Sequence, residues 1–333
     1  MSSQRSPHQT PLRRVSRKRP CAVCGRGDWC SYWDSGRGAI CMRVRSERPA
    51  RGGSGWIHLF DAAQPSAPPD SLALRPSADI ERAPIDRRHR AYTALLSALV
   101  LEDAQRAGLM RRGLPPREIL RLGYKSTPGV GFAANAARAI ASSVDLRGVP
   151  GFYFADGRWR VARMPPGFLV PYRDECGRVE ALQIRRWPHD DGDKYRWLSS
   201  KGRPLGSSSG SPVHFARPEL LNEADEVVIT EGALKADAIS YLTQSPIIAG
   251  AGVSNFPTDF ATRLRQIFPA LHAAIVAFDR DMLEKPQVFQ SLERLTAQLA
   301  GVGFEVRVRT WPPPTKGYDD YLLSRLTSGG RAA

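Results

Sequence analysis

The sequence predicts an α/β protein whose carboxyl-terminal part is a mostly parallel sheet, preceded by a basic α+β region and a small cysteine-rich module. Three observations predict this. Beyond residue 226 short apolar runs alternate with amphipathic stretches of ten residues or more, the pattern of strands joined by helices. Four of the five cysteines fall within residues 21–41. Charge is split along the chain: from Glu219 onward 11 Lys and Arg stand against 14 Asp and Glu, whereas the first 218 residues hold 37 basic and 19 acidic side chains, a net of +18. A basic front half joined to a mildly acidic back half fits a polyanion-binding part carrying a separate carboxylate-rich site.

Residues 1–20 read as a disordered basic arm, with Arg5, Arg13, Arg14, Arg17, Lys18 and Arg19 and no acid. This is neither a secretory signal nor an anchor. The most apolar stretch elsewhere, "AYTALLSALVL", is about half the roughly 20 residues a bilayer requires, so no membrane association is expected and the protein reads as cytoplasmic. Residues 21–60 follow as a compact module: Cys21, Cys24, Cys30 and Cys41 have the spacing C-x2-C-x5-C-x10-C. The "CAVCG" turn brings two thiolates together, and the other pair closes a four-sulfur site suited to structural Zn²⁺. Around it Trp29, Tyr32 and Trp33 lie among Arg26, Arg37, Arg43 and Arg45, a mixture of aromatics and cations that suits single-stranded nucleic acid.

Residues 61–88 are a linker by their Pro, Ser and Ala content. Residues 89–218 form the basic subdomain. Helical spacing runs from about Arg90 to Tyr124, "GLPPREILRLGY" puts two prolines at a helix start, and "GFLVPYRDECGRVEALQIRRW" reads as a hairpin. Cys176, alone in that hairpin, is read as an ordinary loop cysteine.

Residues 219–325 carry the regular alternation: "EVVIT", "PIIAG", "AAIVAFD" and "FEVRVRTW" as strands, with "ALKADAISYLT", "TDFATRLRQIF", "KPQVFQSLERLTAQLAG" and "DDYLLSRL" as helices. Residues 326–333 are read as a disordered tail. In a parallel sheet functional side chains gather at the carboxyl ends of the strands, and Glu231 and Asp279 each directly follow an apolar strand. Glu231 has two readings, an acid at a helix start stabilised by the helix dipole, or a metal ligand. Asp279 and Asp281, two apart in "IVAFDRD", favour the second, because three acids at adjacent strand ends repel unless a cation neutralises them. Hard oxygen donors of this kind suit Mg²⁺ or Mn²⁺.

"VVITEGALKADA", "IVAFDRD" and "KGYDDYL" together resemble the TOPRIM domain, a Rossmann-like, mostly parallel α/β fold shared by bacterial-type primases, topoisomerases and some nucleases. Upstream, "FLVPYRDECGRVEALQIRR" and "KYRWLSS" are similar to the basic subdomain that precedes TOPRIM in replicative primases, and the cysteine module stands where their zinc ribbon stands. Lys235, in "EGALKAD", looks like the variant of primase-like proteins of phages, plasmids and integrated elements. The chain departs from the replicative enzymes in having four cysteines and no histidine ligand, and in offering only Glu284 after the D-x-D.

The resemblance implies a DNA primase-like nucleotidyltransferase making short RNA primers on single-stranded DNA from ribonucleotides, in replication of a mobile element. Asp279 and Asp281 are then metal ligands, and Glu231 a ligand or an acid/base group. Lys235 either contacts phosphate or is a surface lysine of its helix. Arg173, Arg185 and Lys194 are candidates for holding template or nucleotide phosphates. Asp319 and Asp320 could each supply a further ligand, and they also sit where a helix N-cap is expected, the cap being the preferred reading for Asp319 and Asp320 staying open between the two. A replicative helicase, separately encoded, is a candidate partner. Two alternatives stand beside this reading, a TOPRIM nuclease and a non-catalytic single-stranded-DNA-binding replication factor.

Overall fold

The computed structural model describes residues 11–16, 19–50, 55–60, 80–188, 193–280 and 285–329. Two compact units divide the chain, Met1–Arg75 and Pro76–Ala333. No helix among the described residues is long and apolar enough to cross a membrane.

In the first unit β1 (Leu12–Arg14), β2 (Ser31–Trp33), β3 (Gly38–Cys41) and β4 (Trp56–Leu59) form an antiparallel sheet in that order. The basic arm expected over 1–20 is thus a strand at Leu12–Arg14, held by its backbone ladder to β2 and by an Arg13–Asp34 ion pair of 2.6 Å. Residues 1–10 lie outside the described residues. The apolar core is little more than Val15, Cys21, Cys30 and Cys41. A core of this size needs a cross-link to hold it.

The second unit starts sooner than the expected linker ends. Residues 61–79 lie outside the described residues, but Ala83 is buried and donates its N–H to Gly148, and α1 (Ile85–Ser97) begins inside the span assigned to the linker. After it come α2 (Asp103–Met110), α3 (Pro116–Leu122), β5 (Lys125–Ser126), α4 (Val130–Ala141), and the small hairpin β6 (Phe152–Ala155) and β7 (Arg158–Val161). The prolines of "GLPP" sit at the start of α3, and Gly123 ends it in the left-handed conformation at φ 75°, which Gly alone adopts without cost. Then β8 (Gly167–Arg173), β9 (Val179–Arg186) and β10 (Tyr195–Trp197) complete an antiparallel sheet of order β10-β9-β8-β5.

The expected hairpin is therefore present, and both its faces are covered. Leu169, Leu182 and Ile184 pack against Tyr92, Leu95 and Ala137 of α1 and α4. Phe168, Val170, Tyr172 and Ala181 pack on the opposite set, Leu109, Ile119, Leu122 and, from the following domain, Ala233 and Leu234. A register shift at Tyr172/Arg173 leaves Glu180 as the extra residue, and Arg88 takes both its carbonyl and its carboxylate.

The last part of the unit is β11 (His214–Ala216), β12 (Glu226–Glu231), α5 (Ala233–Thr243), β13 (Ile247–Gly250), α6 (Phe260–Ile267), β14 (Ala273–Val276), α7 (Pro286–Gly301), β15 (Glu305–Val308) and α8 (Tyr318–Gly329). The sheet order is β11-β13-β12-β14-β15, with β12 to β15 parallel and β11 antiparallel at the edge. The sheet so begins before Glu219, because β11 supplies the edge partner of β13. Val227, Ile229, Ala274 and Val276 face α6 and α7, while Val228, Ile247 and Ile275 face the layer containing Ala236, Ile239 and Tyr318. Helices on both faces explain why these strands read as continuous apolar runs. Residues 326–329 of the expected tail are the last turn of α8.

Candidate active site

Glu231 is the last residue of β12, whose neighbours are β13 on one side and β14 on the other, so it stands where the strand order reverses. Crevices of parallel sheets open at such points. Gly232 turns the chain at φ 83°, donates its N–H to Gly250 at 2.6 Å, and accepts the first helical bonds of α5 from Lys235 and Ala236. The pairing of β12 with the β14 segment continues beyond β14, since Ala277 N–H meets Ile229 O at 2.8 Å and the Thr230 hydroxyl donates to Ala277 O at 2.9 Å. Phe278 is then buried and Asp279 is delivered beside Glu231.

The Asp279 N–H donates to both Glu231 oxygens, at 3.1 and 3.3 Å. Lys235, one helical turn past Glu231, places Nζ 2.7 Å from Glu231 Oε1 and also donates to Asp279 Oδ1. Glu231 makes no side-chain cap for α5: its oxygens are spent on Lys235 and on the Asp279 backbone. Burial first, against the pull of Lys235 and with the push of Asp279, raises the Glu231 carboxyl to about 7. Lys235 is raised in turn: burial opposes its charge, and Glu231 and Asp279 together outweigh burial. The Asp281 assignment lies outside the described residues.

Asp319 is not an N-cap either. It lies in the first turn of α8 with its side chain 4% exposed; Oδ2 accepts from Arg112 at 2.9 Å and Oδ1 meets no donor among the described residues. Its burial pushes the carboxyl up, against the pull of Lys235. The backbone around it bends at Gly317 for a visible reason: a Cβ there would press on Asp319 Oδ1 and stand 3.3 Å from both Asp279 Oδ1 and Asp320 Oδ2. Three carboxylate oxygens from two segments thus border the space over Gly317.

These groups line one cavity of about 380 Å³ together with Arg112, Arg185, Lys194, Lys316, Tyr172, Gln183 and Tyr195. Arg185 donates to the Tyr195 hydroxyl at 2.6 Å and lies 6.0 Å over the Phe168 ring. Lys194 is shifted down, by partial burial first and then by Arg185, Arg112, Lys235 and Lys316. Arg173 is not among the lining residues. Its guanidinium donates to Leu122 O at 3.0 Å and Gly177 O at 3.2 Å, closing the end of α3 against the hairpin turn. Of the sequence candidates, the structure brings together Glu231, Lys235, Asp279, Asp319, Asp320, Arg185 and Lys194, and leaves Arg173 apart.

Arg112 is a further member that lies outside the quoted motifs, and Lys316, Gly317 and Tyr195 lie within "KGYDDYL" and "KYRWLSS" without having been singled out. Arg112 and its partner Asp319 are 207 residues apart, beyond the reach of any spacing argument. Beneath the site α5 is fixed by a buried chain: the Tyr124 hydroxyl donates to Asp237 Oδ2 at 2.5 Å, and His214 Nε2 lies 3.1 Å from Asp237 Oδ1. His214 Nδ1 accepts the Arg173 N–H at 3.0 Å, which puts the ring proton on Nε2, facing Asp237.

In the first unit the sulfurs of Cys21, Cys24, Cys30 and Cys41 lie within 4.8 Å of one another, with Cys24 and Cys30 3.7 Å apart and Cys30 and Cys41 4.0 Å apart. A tetrahedral Zn²⁺ with Zn–S bonds of about 2.3 Å has S···S edges of about 3.8 Å, so the four thiols are spaced for zinc and not for disulfides. Backbone N–H groups of Met42, Arg43 and Val44 point at Cys30 and Cys41, and Arg43 reaches Cys24, Cys30 and Asp28. Trp29 is exposed and Arg19 stacks 3.9 Å over Tyr32. Trp33, expected on the aromatic surface, is instead buried under Gly38.

Residues 220–328 match the family model described as Domain of unknown function (DUF3854). Among solved structures the chain is similar to the zinc-binding and RNA polymerase domains of the Aquifex aeolicus primase, at 16% identity and a TM-score of 0.54, over 77% of this chain and 62% of that one. It is also similar to the RNA polymerase domain of Mycobacterium tuberculosis primase DnaG in complex with a double-stranded DNA oligomer with a 6-nucleotide overhang, at 18% identity and a TM-score of 0.56, over 75% and 80% of the two chains. A third similar structure is the DnaG primase catalytic domain bound to ssDNA, at 17% identity and a TM-score of 0.52, over 73% and 78%. By fold the chain is a mixed α/β protein of the bacterial primase-core type. Its four-cysteine cluster lies at the amino-terminal side of that core.

Proposed function

We propose that the chain is a primase-type nucleotidyltransferase, with a TOPRIM domain over 219–325, that makes short RNA primers on single-stranded DNA in replication of a mobile element. One observation carries the reading: a single cavity is lined by four carboxylates, Glu231, Asp279, Asp319 and Asp320, and by five cations, Arg112, Arg185, Lys194, Lys235 and Lys316. Acids in such a group suit a hard divalent ion, and the facing cations suit a polyphosphate. Both together suit phosphoryl transfer. The primase-core fold supports the same reading, as do the DNA complexes of two of the similar proteins.

The donor set fits Mg²⁺ or Mn²⁺, since Asp319 Oδ1 is buried without a donor and the Asp279 and Asp320 oxygens border the same space. Asp279, Asp319 and Asp320 would hold the ion, with Asp281 as a further ligand. When bound, such an ion neutralises phosphate oxygens and eases departure of the leaving group. Arg185, Lys194 and Lys316 hold the triphosphate charge of an incoming ribonucleotide, and Arg112 holds Asp319 in place. Glu231 anchors the Asp279 backbone and the Lys235 ammonium, so that the carboxylate of Asp279 keeps its aim. A structural Zn²⁺ on Cys21, Cys24, Cys30 and Cys41 holds the first unit, whose exposed Trp29 suits a stacked base of single-stranded template.

The ammonium already paired with Glu231 and Asp279 favours a second reading, a DNA-binding replication factor whose site is neutralised internally and does not catalyse. One assay separates the readings. The protein is incubated with single-stranded DNA, labelled ribonucleotides and Mg²⁺ or Mn²⁺, beside Glu231→Ala and Asp279→Ala. Oligoribonucleotide synthesis lost in both variants supports the primase, and metal-dependent cutting without synthesis supports a TOPRIM nuclease. Neither product, with DNA binding intact, sinks both enzymatic readings. Adding a purified replicative helicase to the same assay tests whether that partner stimulates synthesis.

A further inference from the structure

Two carboxylates on adjacent strand ends, both mostly buried, need a compensating cation, and a phosphoryl-transfer site that uses two divalent ions supplies one at about 3.5–4 Å from the other. Here the compensation comes from within the chain. Lys235 Nζ bridges Glu231 Oε1, at 2.7 Å, and Asp279 Oδ1, with the lysine and glutamate side chains 16% and 15% exposed. The bridge is no accident of a flexible surface residue. Lys235 sits on the first turn of α5, which the Gly232 turn starts and the buried Tyr124–Asp237–His214 chain holds down.

The same Asp279 Oδ1 has a second side. It stands 3.3 Å from the position a Gly317 Cβ would take, beside Asp320 Oδ2 at 3.3 Å and the buried Asp319 Oδ1 that meets no donor. One carboxylate oxygen is therefore shared between two places for positive charge. On one side stands the ammonium, and on the other the Asp320 oxygen converges with the Asp319 Oδ1 that no donor among the described residues satisfies. An orphaned buried carboxylate oxygen is costly, and a cation is the partner that removes the cost.

We propose that Lys235 is a tethered cation standing in for one of two divalent ions, so that the site binds a single Mg²⁺ or Mn²⁺ between Asp279, Asp319 and Asp320. This rests on the reading of the acids as a divalent-ion site. It makes Lys235 a positioning residue for the shared Asp279 carboxylate and a limit on how many ions the site takes. A second Mg²⁺ cannot enter between Glu231 and Asp279 while the ammonium holds both acids, because it would have to take the place that Nζ fills.

The test counts ions on the full, zinc-loaded chain by titration with Mn²⁺, reading the free-ion electron paramagnetic resonance signal; a hard ion of this kind does not compete for thiolates. Wild type is expected to bind one equivalent, Lys235→Gln two, Lys235→Arg one, and Asp319→Asn none. Two equivalents on wild type overturn the proposal without recourse to any variant, which matters because Lys235→Gln leaves two acids uncompensated and risks misfolding. A Lys235→Gln protein that melts at lower temperature without Mn²⁺, and is raised more than wild type by it, supports the proposal. One equivalent on both wild type and Lys235→Gln overturns the role of Lys235 and leaves the divalent-ion reading standing. No Mn²⁺ on either overturns both.

Discussion

The Lys235 ammonium lies 2.7 Å from Glu231 Oε1 and donates also to Asp279 Oδ1, tying the end of β12 to the segment that follows β14. The acids are therefore oriented before any ligand arrives. Glu231→Gln keeps the shape but halves the negative charge that faces Lys235, and the Asp279 backbone keeps only a neutral acceptor. Primer synthesis is expected to fall about 100-fold or more, the scale on which removal of one electrostatic group acts in a preorganised site. DNA binding is expected to hold, since Glu231 offers no positive charge. A gel-shift run beside the synthesis assay measures both, and equal losses would count against the catalytic assignment.

Gly317 is where space itself is functional. In Gly317→Ala the new methyl presses on Asp319 Oδ1 and reaches Asp279 and Asp320, so the three oxygens are pushed from their common space. Overpacking of this kind costs about 1–3 kcal/mol. The loss of Mn²⁺ affinity is expected to exceed the loss of stability. Calorimetric titration with Mn²⁺ and urea unfolding, taken on the same protein, give the two numbers to compare.

Arg112 and Asp319 form an ion pair between the basic subdomain and the acidic site, at 2.9 Å with the aspartate 4% exposed and the arginine 28%. Arg112→Ala strands a buried carboxylate. Breaking a fully buried pair costs about 3–5 kcal/mol, and the partial exposure of the arginine brings the expectation to about 1–3 kcal/mol. Asp319→Asn in the same background should recover part of that, because the amide needs no counter-charge. Urea melts of the two single variants and the double variant test this as a cycle, and additive losses would show that the pair is not coupled.

The parallel sheet was legible because its strands are buried on both faces and its helices are long: the "ALKADAISYLT" helix falls on Ala233–Thr243 as expected. The acids were legible for a related reason, since strand ends in such sheets collect function and Glu231 and Asp279 end apolar runs. Lys235 was seen but not its bridge to Asp279, 44 residues away in sequence, because that distance depends on how β12 and β14 pair. Arg173 misled for the opposite reason. A guanidinium in a basic hairpin reads as a phosphate ligand, while the ends of α3 and the β8–β9 turn present carbonyls that claim it first. The arm and tail misled by composition: a three-residue strand of exposed side chains, Leu12–Arg14, leaves no apolar signature, and its ladder partner Ser31–Trp33 is set by the cysteine cluster.

The buried chain under α5 gives a separate prediction. Tyr124→Phe removes the donor to Asp237 Oδ2 and leaves that oxygen buried among Tyr124, His214 and the helix. An unsatisfied buried acceptor costs about 1–3 kcal/mol. The first turn of α5 is expected to loosen with it, and with it the aim of Lys235. Hydrogen exchange at Ala233–Asp237 measured in wild type and Tyr124→Phe reports this, and unchanged protection there would refute the coupling.

The cysteine module is expected to depend on a bound metal in a way the rest of the chain does not. The cluster around its thiols holds four buried side chains, Val15, Cys21, Cys30 and Cys41, with Cys30 and Cys41 taking N–H groups from Met42, Arg43 and Val44. Burial pushes the Cys30 and Cys41 thiols up against the pull of those N–H groups, whereas Cys24 is carried down to about 7: its partial burial acts upward and is outweighed by the Arg26 N–H and the neighbouring thiols. A Cys30→Ser substitution removes the ligand at the centre of the group, replacing sulfur with a harder, smaller donor that does not reach zinc at the same distance. Zinc content is expected to fall from one per chain toward zero, and the amides of Ser31–Trp33 and Gly38–Cys41 to lose their exchange protection, since structural zinc supplies folding free energy outright. Amides of β12 and β14 are expected to keep theirs, because Val227, Ile229, Ala274 and Val276 sit in a core that owes nothing to the metal. Metal analysis and residue-resolved hydrogen exchange on the same sample decide it: protection retained at Ser31–Trp33 in zinc-free protein would mean that the strands, and not the metal, hold the module together.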